Sequence, residues 1–246
     1  MSADPTSATE VGDLSGGAPP EIRARLALAL DVDDIVEAQR LASELSPWFG
    51  VAKVGLELYS AAGPEAIEVL VGDGFEVFAD LKLLDIPTTV AKSARVIGSL
   101  GASYLTVHTR AGVDHVRAGV EGLAEGANAA GLALPTCLGI TVLTSEPADP
   151  VALADRVAIA EAADCGGVVC ASSDLAQVGA LAPDLLTVVP GIRPGGVAHH
   201  DQARPATPTE AIVAGAHVLV IGRAVTEAAD PVAAAAAIAA EVAAAL

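Results

Sequence analysis

The sequence predicts a single-domain α/β protein with the (β/α)8 (TIM) barrel fold. The chain has 246 residues, a usual length for such a barrel. Hydrophobic residues make up 52% of it and aromatic residues only 2%, so aliphatic side chains must fill the core, as they do in parallel sheets covered on both faces. Apolar runs alternate with amphipathic or Ala-rich stretches eight times, which favours a closed barrel over an open doubly wound sheet.

The elements are predicted in chain order from this alternation. Residues 1–22 are rich in Ser, Thr, Gly, Pro and acidic residues without apolar periodicity, which predicts a disordered tail before a catalytic barrel domain over 23–246. The predicted strands are 26–31, 50–55, 76–82, 104–108, 136–142, 167–170, 186–189 and 218–222. A helix is expected after each strand, and Pro or Asp marks the starts at Asp33 or Asp34, at Ile86-Pro87 and at Asp230-Pro231.

The composition of the chain excludes some classes of partner and predicts a cellular location. The net charge is −18, from 31 acidic and 13 basic residues, which opposes binding to nucleic acid or to an anionic membrane. No apolar run is long enough to span a bilayer, and the N-terminus lacks the features of a signal peptide. A cytoplasmic protein is therefore predicted. The cysteines are odd in number and lack zinc-like spacing, so buried thiols are expected at Cys137, Cys165 and Cys170.

Ionisable side chains end several predicted strands, where a βα barrel carries its active site. They are Asp31, Lys53, Asp80, Lys82, His108 and Arg223. Asp80 and Lys82 lie two apart on one strand and so point the same way; if that way is inward, Lys53 is their neighbour. One Asp–Lys pair could equally be a structural ion pair, but two lysines with two aspartates, counting Asp85, favour a function. An ammonium held between carboxylates stays protonated, which predicts a proton donor or counterion.

A second group lies in the predicted loops after the seventh and eighth strands, where many βα barrels bind phosphate. Residues 190–196 read Pro-Gly-Ile-Arg-Pro-Gly-Gly, and Gly222-Arg223 follows the last strand. Glycine permits close backbone approach to an anion, and arginine offers a bidentate fork. Alone, each could be a simple turn or a solvated strand end; together they predict a phosphate site. The long connection 193–208, which contains Gln202 and Arg204, is predicted to be a mobile phosphate gripper.

A metal site is the weaker interpretation of the histidines. His108 is followed closely by Asp114 and His115, but a third convincing ligand is missing, and His199-His200 falls in the long connection. No metal is therefore predicted.

These motifs together resemble the orotidine 5′-phosphate decarboxylase family over nearly the whole barrel. The resemblance is carried by Asp-x-Lys-x-x-Asp-Ile-Pro at 80–87, Pro-Gly-Ile-Arg-Pro at 190–194, Asp-Gln-x-Arg at 201–204 and Gly222-Arg223, with shorter matches at 28–31, 53–55, 141–145 and 207–208. The Asp-x-Lys-x-x-Asp element occurs also in related sugar-phosphate decarboxylases, whereas its combination with Asp-Ile-Pro, Pro-Gly-Ile-Arg-Pro and Asp-Gln-x-Arg is specific. Two departures, a looser turn at 108–112 and the N-terminal tail, leave these motifs intact.

The resemblance implies decarboxylation of orotidine 5′-phosphate to UMP, the last step of de novo UMP synthesis, by a homodimer without metal or organic cofactor. It implies a catalytic tetrad in which Lys82 protonates the pyrimidine and Asp85 reaches the partner's site. The tetrad is Lys53, Asp80, Lys82 and Asp85, and Ile86 and Thr89 would accompany Asp85 across the interface. The other implied substrate contacts are Asp31 and Lys53 at the ribose, Thr144 at the pyrimidine, Pro190, and Arg193, Gln202, Gly222 and Arg223 around the phosphate.

Two rival functions stay open on the sequence. One is a decarboxylase or aldolase of the same barrel group that acts on a sugar acid phosphate and usually needs a metal. The other is a non-catalytic barrel that binds UMP as a sensor, against which the intact tetrad argues.

Overall fold

Eight parallel strands close into a barrel, in the order β1 to β8, in the computed structural model, which describes residues 14–194, 204 and 206–246. The strands are β1 Leu26–Ala29, β2 Val51–Val54, β3 Glu76–Leu83, β4 Tyr104–His108, β5 Thr136–Ile140, β6 Gly167–Val169, β7 Leu186–Val189 and β8 Val218–Ile221. β1 pairs with β8 as well as with β2, which closes the barrel. The predicted (β/α)8 fold is therefore confirmed.

Helices connect the strands on the outside of the barrel. They are α1 Pro20–Arg23, α2 Ile35–Leu45, α3 Leu56–Ala62, α4 Glu65–Gly72, α5 Pro87–Ser99, α6 Val113–Ala130, α7 Pro150–Ala162, α8 Leu175–Leu181, α9 Pro208–Val213, α10 Arg223–Thr226 and α11 Pro231–Ala245. Short 3-10 turns cover Thr109–Ala111 and Ser172–Asp174. Within the described ranges, none of the helices has the length and apolarity that crossing a bilayer requires.

The three predicted helix starts are correct, and two of them use an Asp side chain as the cap. The carboxylate of Asp34 accepts hydrogen bonds from the N–H groups of Val36 and Glu37 at the start of α2, and Asp230 caps α11 in the same way. Pro87 opens α5, where its missing N–H is not needed. These caps satisfy N–H groups that the first turn of a helix leaves without a partner.

The predicted ends of five strands are one or two residues too late. β1, for example, ends at Ala29, short of Asp31, and β5 ends at Ile140, short of Val142. The apolar pattern continues past the last ladder hydrogen bonds because the first loop residues still pack on the barrel rim, as Val142 does. The polar residues that follow the strands are therefore loop residues held at the mouth of the barrel.

The boundary of the predicted tail also needs correction. Residues 1–13 lie outside the described part of the chain, but residues 14–22 are packed. The indole N–H of Trp48 donates to the carbonyl of Leu14 over 2.8 Å, the N–H of Ala18 donates to the carbonyl of Pro47, and Ile22 in α1 is buried. This segment lies against the turn that follows α2 and belongs to the folded domain.

The barrel interior changes from apolar to charged along β2 and β3 toward the C-terminal rim. Val51 and Phe78 belong to an apolar cluster inside the barrel. Two residues later on the same faces, the side chains are Lys53 and Asp80, which reach the mouth. Since residues two apart share a face of a strand, a closed apolar floor supports the charged groups and excludes water from below.

Helices α5 and α6 approach each other unusually closely, and three glycines make this possible. A Cβ on Gly126 would lie 1.9 Å from the carbonyl oxygen of Arg95, one on Gly122 would lie 2.3 Å from that of Ala91, and one on Gly98 would lie 2.2 Å from that of Leu123. No backbone atom can tolerate such contacts. The glycines therefore fix the position of α5, which follows directly on the loop that carries Asp85.

We expect Gly126→Ala to lower the free energy of unfolding by about 1–3 kcal/mol, since the added methyl group overpacks the helix contact. Alanine normally stabilises a helix by roughly 0.5–1 kcal/mol relative to glycine, so the expected sign is reversed here. Urea unfolding measures the difference. Gly179→Ala is the matched control, because Gly179 lies in α8 and a Cβ added there would have no atom within 4 Å; equal effects at the two sites would contradict the close-approach argument.

Candidate active site

A cavity of about 760 Å³ opens at the C-terminal ends of the strands. This is within the usual size range of a small-molecule site. It brings together residues predicted from distant segments of the sequence: Asp31, Lys53, Asp80, Lys82, Thr144, Pro190, Arg193, Gly222 and Arg223. The two groups predicted separately, the charged strand ends and the phosphate motifs, therefore face one space.

Four charged side chains form a row of alternating sign along one side of this cavity. The ammonium of Lys53 lies 2.8 Å from the carboxylate of Asp31 and 4.0 Å from that of Asp80. The ammonium of Lys82 lies 2.7 Å from the same Asp80 oxygen, Oδ2. Lys53 is buried and Asp31 is more than half exposed. Each ammonium is thus held beside a carboxylate, which offsets the cost of removing its charge from water.

Thr106 supports this row, and the sequence reasoning missed it. Its hydroxyl donates to Asp80 Oδ1 over 3.0 Å and accepts the backbone N–H of Lys82 over 2.8 Å. The other oxygen of Asp80 is then left to face the two ammonium groups. The sequence did contain a signal for this role: Thr106 is a polar residue within the apolar run of β4, and its side chain points to the opposite face from those of its two neighbours.

Lys82 has a strained backbone. Its φ is +48°, in the left-handed region that costs a non-glycine residue roughly 1–2 kcal/mol, and the register between β3 and β4 shifts between Ala79 and Leu83. The distortion is held by the Thr106 hydrogen bond. Strain of this kind is retained where the surrounding structure over-determines a conformation, commonly at functional sites, and here it sets the direction of the Lys82 side chain.

Gly55 leaves room for the ion pair at the other end of the row. A Cβ at this position would lie 2.9 Å from Asp31 Oδ1 and 3.0 Å from Lys53 Nζ. Glycine is required because any side chain would displace one of these two groups. The sequence placed Gly55 at a strand end but offered no sign of this role, since the contact depends on the pairing of β1 with β2.

Asp85, Ile86 and Thr89 do not line the cavity of their own chain. All three are exposed, and Asp85 Oδ1 accepts the N–H of Ile86 over 2.6 Å. The ring nitrogens of buried His115 lie 2.7 Å from the carbonyl oxygen of Asp85 and 3.2 Å from that of Leu83. His115 therefore holds this turn against α6, and the sequence reasoning, which considered it only as a metal ligand, missed that role.

The other side of the cavity is formed by the segments after β7 and β8. Arg193 is buried, and its backbone N–H donates to the carbonyl of Ala206 over 2.8 Å. Gly191 has a φ of +78°, so it makes a turn that a side chain would disfavour. Gly222 and Arg223 face the same space from the end of β8. Two guanidinium side chains and two glycine backbones thus meet where phosphate binding was predicted.

Two sequence predictions in the long connection lie outside the described residues. They are the contact made by Gln202 and the mobile gripper between Arg193 and Pro208, of which residues 195–203 and 205 are not described. Arg204 is described, and it contacts Asp174 at the rim of the cavity.

Two further ionisable groups near the barrel mouth are neutral at neutral pH. Burial, reinforced by the charges of Arg110 and Arg156, lowers the pKa of His108 to about 4. Burial raises the pKa of the Cys170 thiol to about 12, with a further contribution from Asp174. Neither an imidazolium nor a thiolate nucleophile is present there. The three cysteines are buried and free, as predicted.

Across the described ranges 14–194, 204 and 206–246, no three His, Cys, Asp or Glu side chains are grouped so as to hold a metal ion. His108, Asp114 and His115 in particular do not converge, because His115 is engaged by two backbone carbonyls. Among the described side chains that line the cavity, the positive charges that could act on a bound anion are those of Lys53, Lys82, Arg193 and Arg223.

The chain is similar in sequence and in structure to known proteins of one family. The model of the family described as orotidine 5′-phosphate decarboxylase / HUMPS matches residues 24–238. The orotidine 5′-phosphate decarboxylase of Anaeromyxobacter sp. (strain K) is 45% identical over 228 residues, which are 88% of this chain and 97% of that protein. The one from Thermobifida fusca is 44% identical over 225 residues, with 89% and 95% covered. The crystal structure of the Lactobacillus acidophilus enzyme superposes with a TM-score of 0.74 at 32% identity and covers 89% of this chain and 99% of that one.

Proposed function

The chain belongs to the orotidine 5′-phosphate decarboxylase family, and from this premise we propose that it converts orotidine 5′-phosphate to UMP and carbon dioxide, the last step of de novo UMP synthesis. It is then a carboxy-lyase. The observation that carries the proposal is the row Asp31, Lys53, Asp80 and Lys82 in a cavity whose opposite side holds Arg193 and Arg223. One side suits a reacting carboxylate and the other a phosphate.

The chemistry explains why a row of fixed charges is needed. Loss of carbon dioxide from the pyrimidine leaves a vinyl-type carbanion at C6 that has no conventional electron sink. A preorganised ammonium beside that carbon stabilises the negative charge and can then donate the proton. Lys82 has this role in our proposal, and its strained backbone supports it because the strain orients the side chain. No metal or organic cofactor enters this mechanism.

Asp80 has two effects in this proposal. Its carboxylate keeps the Lys82 ammonium protonated and in place, since opposite charge favours the charged form. It also lies near the substrate carboxylate, whose negative charge passes to C6 as carbon dioxide leaves, so the repulsion is relieved as the charge moves away from Asp80 toward the Lys82 ammonium. The Asp80 oxygen that lies 2.7 Å from Lys82 Nζ and 4.0 Å from Lys53 Nζ supports the first effect.

The remaining contacts are proposed on the same division of the cavity. Asp31 and Lys53 hold the ribose hydroxyls, and Thr144 contacts the pyrimidine. The phosphate end comprises Pro190, Arg193, Gln202, Gly222 and Arg223. Binding energy from the phosphate, remote from C6, can then appear as rate as well as affinity.

We propose further that the active unit is a homodimer in the cytoplasm, with Asp85, Ile86 and Thr89 acting in the partner's site. The exposure of apolar side chains beside Asp85 supports this, since Ile86 is 65% and Leu84 49% exposed in the single chain. Exposed apolar side chains next to a charged loop are typical of a surface that a second protein covers.

An ultraviolet assay of orotidine 5′-phosphate consumption by the purified chain tests the proposed function. We expect turnover without added metal or cofactor that persists in the presence of a chelator. UMP binding without turnover would instead indicate the sensor, and turnover only of a sugar acid phosphate, abolished by the chelator, would indicate the other decarboxylase group. A folded chain that does none of these contradicts the assignment.

A further inference from the structure

Among the described residues, Arg204 contacts several groups near the barrel mouth outside the charged row. Its Nη1 lies 2.5 Å and 2.7 Å from the two carboxylate oxygens of Asp174 and 3.3 Å from the hydroxyl of Ser173, and its Nη2 lies 3.3 Å from the carbonyl oxygen of Leu143. The ion pair is nearly buried, with 11% of the Arg204 side chain and 7% of the Asp174 side chain exposed. One guanidinium thus joins three loops.

These three loops frame one end of the cavity. Leu143, in the segment after β5, lines it beside Thr144, and Cys170, at the end of β6, lines it next to the turn that carries Asp174. The Asp174–Arg204 ion pair adjoins this wall of the cavity, because Arg204 donates to the carbonyl oxygen of Leu143 and Asp174 lies in the turn that follows Cys170.

The third loop links the ion pair to the phosphate end. Ala206, two residues after Arg204, accepts the backbone N–H of Arg193 over 2.8 Å, and Ile192 forms a parallel bridge with Ala206. Anchoring Arg204 therefore anchors the strand-like stem on which the Arg193 backbone lies. The other described contacts of residue 206 are the bridge itself and the packing of its side chain against the hydrophobic core.

We propose that Arg204 and Asp174 are positioning residues for phosphate recognition: their buried ion pair ties the segments after β5 and β6 to the stem after β7 and so fixes Arg193 at the phosphate end of the cavity. The inference rests on the proposed function, because it takes the ligand to be a nucleoside 5′-phosphate. Neither residue touches the ligand in this proposal. The alternative is that the pair contributes only to folding.

Binding of UMP and of uridine separates these two roles, because the two ligands differ only in the phosphate. We expect Arg204→Ala to weaken UMP binding by roughly tenfold to a hundredfold, the size of effect that a misplacement of about 1 Å produces, and to leave uridine binding unchanged. Asp174→Asn is expected to act in the same direction. Inorganic phosphate, used as a competitor of UMP, is expected to lose affinity in parallel.

Steady-state kinetics give a second readout. For orotidine 5′-phosphate, both variants are expected to raise KM more than they lower kcat, since the reacting groups around Lys82 stay in place. Arg204→Lys should be intermediate, because an ammonium can pair with Asp174 but has no planar fork to reach Leu143 at the same time. Arg117→Ala is the matched control: Arg117 also joins a carboxylate and a backbone carbonyl, of Asp114 and Ala162, away from the cavity.

Thermal unfolding of each variant distinguishes a loss of stability from a loss of phosphate recognition. A lower unfolding temperature with unchanged discrimination between UMP and uridine would overturn the proposal and leave a structural ion pair. Equal loss of both ligands would overturn it too. Failure of the proposed function is a separate result, because a wild-type chain that binds UMP without turnover still allows the binding comparison.

Discussion

Replacing Lys82 with alanine is expected to lower kcat for orotidine 5′-phosphate by roughly 10⁴-fold or more. Removal of one preorganised charge from a developing anion costs about 10²–10³ in rate, and loss of a positioned general acid costs about 10²–10⁴. Lys82 combines both roles in the proposed mechanism. KM is expected to change much less, since the phosphate and ribose contacts lie on other loops.

The variant should fold as the wild type does. The Lys82 ammonium contributes one ion pair, with Asp80, and the backbone hydrogen bond from the Lys82 N–H to Thr106 is available to alanine as well. The positive φ is retained in both proteins, so the backbone strain cancels in the comparison. Thermal unfolding and UMP binding verify that the cavity is intact.

Lys92→Ala is the matched control for this experiment. Lys92 is the third lysine of the chain and lies exposed on α5, so its removal alters the net charge equally without touching the cavity. We expect full activity from it. Turnover by Lys82→Ala within tenfold of wild type, with the fold intact, would exclude Lys82 as the proton donor.

The strand ends were the most predictable part of the site. Lys53, Asp80 and Lys82 interrupt or end apolar runs, and a charge in that position must be paired or functional. In a barrel the C-terminal ends of all strands lie at one rim. Once Lys53 and Arg223 were predicted at strand ends, the fold alone predicted that they share one cavity. The predicted alternation of β-strands and helices was enough to specify this meeting point.

The supporting residues could not be predicted in the same way. The roles of Gly55 and Thr106 depend on which side chains face them across neighbouring strands, and a one-residue shift of register reverses every such contact. The register between β3 and β4 does shift in this protein, between Ala79 and Leu83. The left-handed backbone of Lys82 is likewise imposed by that pairing, because lysine has no preference for it.

Mixing two inactive variants is expected to restore activity if the site is shared between subunits. Asp85→Ala alone should lower kcat by roughly 10²–10³, the effect of removing one fixed charge near the reacting group. In a hybrid dimer with Lys82→Ala, one site carries both lesions and the other has the intact Lys82 of one chain and the intact Asp85 of its partner. Random exchange then gives about one quarter of the wild-type activity, since half of the dimers are hybrid and each has one complete site.

The reason to expect this lies in where Asp85 is held. Its carboxylate is exposed, bonded to the N–H of Ile86 and outside the cavity of its own chain, while the turn that carries it is fixed by His115 and by the close packing of α5 on α6. A rigid, exposed carboxylate beside apolar Leu84 and Ile86 is suited to enter a neighbouring subunit. A mixture of Asp80→Ala and Lys82→Ala is the control, because each substitution damages the cavity of its own subunit, so that neither site of a hybrid dimer is complete. Recovery in the control, or none with Asp85→Ala despite demonstrated subunit exchange, would show that Asp85 does not act across the interface.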